Sequence, residues 1–142
     1  MKIMKKSPWL SFFNCGGCKG CILECITLIT PKYDIERFGC LYKASPRHAD
    51  ILLVTGVATK QAKERLKTVY EQMAPNKKLI AIGVCAISGG IFQDAYNSGN
   101  GIDKYVPVDI YVPGCPPKPE AIIDGILKVL DDLDERKKNK IE

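Results

Sequence analysis

Residues 50–73 read "DILLVTGVATKQAKERLKTVYEQM", and two different periods meet inside this stretch. From 50 to 55 the apolar residues are nearly continuous, as in a strand buried on both faces. Thr59 then stands where a helix N-cap belongs. Beyond it Ala62, Leu66, Val69, Tyr70 and Met73 recur at the spacing that gathers side chains on one stripe of a helix. Pro75 and Asn76 end the pattern. A buried strand followed at once by a helix with one apolar stripe is the repeating unit of an α/β layer structure.

Working outward, the unit recurs. "WLSFF" at 9–13 reads as a strand, followed by a cysteine-rich run and a short helix at about 20–29 that Pro31 stops. "YDIERF" at 33–38 is a further β-type run. "KLIAIGV" at 78–84 and "VDIYVP" at 108–113 are strands. Pro119 opens a last helix carrying Ile122, Ile126, Val129, Leu130 and Leu133 in one register. The expected fold class is α/β: a mostly parallel open sheet with helices on both faces, flavodoxin-like. One domain is expected over 1–134, with a charged, frayed tail over 135–142. Between them, 86–107 reads as a long glycine-bearing loop, the kind that is functional or faces a partner.

A chain of 142 residues buries enough surface for a core without disulfide staples, so its seven cysteines are available for chemistry. Lys5, Lys6, Ser7 and Pro8 interrupt the apolar residues of the first segment, which predicts no secretory signal and a reducing, cytoplasmic setting. No run approaches the ~18 apolar residues of a membrane span, so any membrane link is expected to run through a partner. The formal charge of +5 is spread over Lys2, Lys5, Lys6, Lys60, Lys63, Arg65, Lys67, Lys77 and Lys78. Without a clustered basic stripe and stacking aromatics, nucleic acid is not an expected partner, and these charges read as solvated helix faces.

Cys15, Cys18, Cys21 and Cys25 in "NCGGCKGCILEC" follow the spacing C-x2-C-x2-C-x3-C, which ferredoxins use for iron–sulfur clusters. In ferredoxins the fourth cysteine serves a second cluster, which requires a second run, and this chain has none. Cys85 and Cys115 instead follow two of the expected strands. In open α/β sheets ligands bind beyond the carboxyl ends of strands, so three loops bring cysteines to one edge. Four thiolates there can hold either a 4Fe-4S cluster or a tetrahedral zinc. A full core and widely separated cysteines favour the cluster, but the residues alone leave both open.

Four segments, "CKGCILE", "ASPRHADILLVTG", "IAIGVCAISGGIF" and "GIDKYVPVDIYVPGCPPKPEA", resemble the electron-transfer small subunit of energy-converting nickel–iron hydrogenases and its relative, the B-type subunit of respiratory NADH:quinone oxidoreductase. The similarity spans roughly residues 9–130. It implies one 4Fe-4S cluster, held by Cys18, Cys21, Cys85 and Cys115, with no role for Cys15, Cys25 or Cys40 beyond packing. It also implies that Arg47 of "SPRHAD" lies near the cluster and raises its potential. The expected partners are a hydrogenase-type large subunit, an iron–sulfur ferredoxin-like subunit and membrane ion-translocating subunits. They would hold the chain at the cytoplasmic side of the membrane, within a complex that evolves hydrogen and moves ions. The two intervening residues between Cys18 and Cys21 resemble the hydrogenase branch. A complex I-like assembly that reduces quinone or sulfur without nickel is the alternative, and a zinc-stabilised module a more distant one.

Overall fold

The computed structural model describes residues 7–138. Five strands, β1 (Trp9–Asn14), β2 (Leu41–Tyr42), β3 (Ile51–Thr55), β4 (Lys78–Ile82) and β5 (Ile110–Val112), form one sheet in the order β2-β1-β3-β4-β5. Every pairing is parallel. This is the flavodoxin-like order, and the chain reverses its direction of winding between β1 and β3.

Alternation along the strands sorts the core into two layers. Leu10, Ile51, Leu53, Ile80 and Ile82 pack on one face with Cys25 and Leu28 of α1 (Gly20–Thr27) and its C-terminal cap, and with Ile122, Ile126 and Val129 of α4 (Pro119–Lys138). Leu52, Val54, Leu79 and Ala81 pack on the other with Leu66 of α2 (Lys60–Gln72) and Ala86 of α3 (Val84–Ser88). β3 and β4 are buried at every position, which is why both read as continuous apolar runs. Thr59 caps α2 as its sequence position predicts, its hydroxyl accepting from the Ala62 N–H at 3.2 Å.

Three expectations are corrected. "YDIERF" is not a strand: Ile35–Phe38 is a 3-10 turn entered through Asp34 in the left-handed region, and the edge strand β2 comes after it. The segment 86–107 is not structureless. It contains the rest of α3 and 3-10 turns at Gly90–Phe92 and Ile102–Lys104, and Ile102 and Val106 anchor it in the core. Lys78 is not solvated: it is buried at the start of β4, where its Nζ meets Asp109 Oδ1 at 2.6 Å. The helix α4 carries the chain past residue 134, and residues 139–142 of the expected tail lie outside the described residues.

Candidate iron–sulfur site

The loops that leave β1, β4 and β5 all emerge at the carboxyl edge, and backbone bonds tie them together. The Cys15 N–H donates to Thr55 O at 2.9 Å, fastening the cysteine loop to the end of β3. The Gly83 and Val84 N–H groups donate to Val112 O and Gly114 O at 2.8 and 3.0 Å, fastening the β4 exit to the β5 exit. Cys85, in the first turn of α3, is thereby held beside Cys115. The Cys115–Pro116 peptide is cis.

Gly83 shows how closely the elements meet. Its φ is +88°, and a Cβ there would fall 2.5 Å from Cys21 Sγ. Only glycine both adopts that backbone and leaves room for the sulfur. A cavity at this edge is lined by Cys18, Cys21 and Cys85, together with Asn14, Thr55 and Gly56 from the ends of β1 and β3. Cys115 is outside that lining but acts electrostatically on both Cys21 and Cys85.

The ferredoxin-like run is divided. Cys18 is exposed and Cys21 half-buried at the edge, whereas Cys15 and Cys25 are buried in opposite core layers. Burial pushes the Cys15 thiol up to about 12, and burial followed by the neighbouring Cys21 and Glu24 does the same to Cys25. Cys40 is buried beside β2, its thiol pushed up by burial to about 11. These three pack as small apolar side chains.

At the edge the causes differ. Burial raises the Cys21 thiol to about 11, and repulsion from Cys85, Cys18 and Cys115 adds to it. Cys85 is raised by burial, then by Cys115 and Cys18. For each, the polarity of its own backbone opposes the shift. Four thiolates gathered here repel one another and require a cation to neutralise them.

Among the described residues no three or more histidine, cysteine, aspartate or glutamate side chains close on one metal-ion position. A single zinc needs its sulfurs about 2.3 Å from one centre. An iron–sulfur cubane carries its ligands on the corners of a wider body, and a soft, all-cysteine set around a cavity suits that chemistry. In its donor chemistry, an all-cysteine set of thiols, the site fits such a cluster.

Arg47 does not share this site. It lies exposed in a 3-10 turn, Pro46–His48, just before β3, at the amino end of the sheet. The five residues of β3 put roughly 15 Å between the two ends at ~3.3 Å per residue. The structure thus sets Arg47 before β3, whereas the cysteine loops follow the strands. Its neighbour His48 meets the Trp9 ring edge-on at 6.0 Å, a packing role.

Sequence reasoning missed Asn14 and Thr55. Their signal is positional: each ends one of the two strands that flank the reversal of winding, and they pair in register.

Comparison with known proteins agrees with this architecture. The family described as "NADH ubiquinone oxidoreductase, 20 Kd subunit" matches residues 18–129, and the chain belongs to it. It is 47% identical over 140 residues to the Pyrococcus furiosus protein named "Probable membrane-bound hydrogenase subunit mbhJ", covering 99% of this chain and 84% of that one. It is 46% identical over 129 residues to the B-type subunit of the NADH-quinone oxidoreductase of Geotalea daltonii, covering 91% and 74%. Among solved structures, a chain of the archaeal membrane-bound sulfane sulfur reductase superposes with a TM-score of 0.77 at 46% identity, covering 89% of this chain and 70% of that one. The protein is thus an electron-transfer subunit of the kind shared by complex I-like and hydrogenase-like oxidoreductases. No helix among the described residues is long and apolar enough to cross a membrane.

Proposed function

We propose that this chain holds one 4Fe-4S cluster through Cys18, Cys21, Cys85 and Cys115 and relays electrons within a membrane-bound oxidoreductase. The observation that carries the reading is the delivery of four thiols by the exits of β1, β4 and β5 to one edge, where three of them border a common cavity. A cluster bound there supplies a single reversible one-electron site. The chain's own part is to hold it and set its surroundings. Gly83 admits the Cys21 sulfur, and the paired exits of β4 and β5 keep Cys85 beside Cys115.

The acceptor in this reading is the nickel–iron site of a partner large subunit, and the donor is an iron–sulfur chain fed by ferredoxin. Separate membrane subunits move ions and anchor the assembly at the cytoplasmic face. The likeness to the Pyrococcus furiosus hydrogenase protein supports this version. The likeness to the sulfane sulfur reductase chain supports a second one, in which the partner lacks nickel and the electrons reduce a sulfur compound. An exposed apolar surface beside the cysteines, including Val84, Ile91 and Tyr96, suits a covering subunit in either version.

Metal analysis of the anaerobically purified complex tests both levels. About four iron atoms per copy of this chain, beyond those of its partners, are expected; stoichiometric zinc without that iron would refute the cluster. Nickel with hydrogen evolution is expected of the first version, whereas sulfur reduction by a nickel-free complex establishes the second.

A further inference from the structure

We infer that Asn14 is a positioning residue that donates a hydrogen bond from its side-chain amide to the sulfur of the bound cluster and so raises its potential. The inference rests on the proposed cluster and concerns a residue outside the ligand set.

Asn14 is the last residue of β1 and pairs with Thr55, the last residue of β3, at the point where the winding reverses. Both border the cavity that Cys18, Cys21 and Cys85 share. The orientation of the amide is fixed by chemistry. Its Oδ1 accepts from the Gly16 N–H and from the Thr55 hydroxyl, each at 3.3 Å. A backbone N–H can only donate, so the oxygen must face it and the nitrogen must face away. Nδ2 donates to no protein acceptor among the described residues. A half-buried amide with its oxygen committed on one side and its nitrogen uncommitted beside a thiol-lined cavity is set to donate to whatever anion fills it.

Hydrogen bonds to cluster sulfur favour the reduced, more negative state, as charge-assisted bonds favour the charged acceptor. Asn14 supplies such a donor on the side of the site that faces β3, where no cysteine of the proposed set originates. The bonds to Gly16 and Thr55 hold the amide oxygen away from the cavity side of the group.

The test uses the whole complex, prepared with asparagine carrying 15N in its side-chain amide. Pulsed EPR of the reduced cluster is expected to show a weak 15N coupling that disappears in Asn14→Asp prepared with the same label. That variant retains Oδ1 for Gly16 and Thr55, so it separates the donor from the loop anchor. Asn14→Ala is expected to shift the midpoint potential to more negative values at unchanged iron content. A cluster signal with no asparagine coupling in the unsubstituted complex would overturn the inference, as would Asn14→Ala with full iron and an unshifted potential. Where Asn14→Ala loses iron, the coupling in the unsubstituted complex and its loss in Asn14→Asp decide alone. An unsubstituted complex with no cluster signal in this chain would overturn both this inference and the function on which it rests.

Discussion

Three of the seven thiols are buried in the core, and a buried thiol leaves a signature in pH. Cys40 is the cleanest case because it lies apart from the cysteine edge. Burial raises its thiol from 9.0 to about 11. The folded chain therefore keeps this proton over a range in which the unfolded chain releases it. Its contribution to stability is complete below about pH 9 and is lost as the pH rises through about 11. Thermal melting across that window should fall less steeply in Cys40→Ala than in the unsubstituted protein; equal slopes would contradict the burial argument. The proposed ligand set was legible only partly from spacing. The run from Cys15 to Cys25 advertises itself, yet α1 turns Cys25 into one core layer and β3 fastens Cys15 into the other. Cys85 and Cys115 show only that each follows a strand; their nearness comes from backbone bonds between two loops distant in sequence.

At the scale of elements, the start of β4 depends on a polar contact that an apolar pattern does not reveal. Lys78 is buried, and its ammonium is neutralised by Asp109, whose second oxygen accepts from the Leu79 N–H at 3.0 Å. Removing the carboxylate strands a buried charge and a backbone donor. Asp109→Ala should cost about 2–3 kcal/mol in chemical denaturation, and Lys78→Met clearly less, since it removes the charge along with its partner. An Asp109→Ala protein as stable as the parent would show that the pair is solvated. The long central elements were readable because one period governs each: continuous burial for β3 and β4, a single stripe for α2. The errors fell where no period exists. Ile35–Phe38 has only one buried residue, Ile35, and β2 is two residues long, too short to show any alternation. The excursion after β4 was misread because its order comes from Ile102 and Val106 reaching the core, and from side-chain bonds such as Asn100 to Asp94 at 2.6 Å.

At the scale of the whole molecule, the sheet separates two roles. At its amino end Trp9 and His48 pack edge to face, while its carboxyl end gathers the thiols. Exposed apolar residues stand near the second end: Ile91 is 87% and Tyr96 92% exposed, and Leu23 in the first turn of α1 is exposed as well. Produced without partners, the chain should aggregate or fail to retain iron, measured by size-exclusion chromatography with metal analysis. A monodisperse, iron-loaded chain made alone would contradict the view that a large subunit covers this edge. We propose that the cluster belongs to three strand exits and not to the ferredoxin-like run. The most direct test is low-temperature EPR, with iron counting, of reduced complexes carrying Cys115→Ala or Cys25→Ala. Cys115→Ala is expected to lose this chain's cluster signal and about four iron atoms, while Cys25→Ala keeps both. Retention of the signal in Cys115→Ala together with its loss in Cys25→Ala would place the cluster on the run and contradict the assignment.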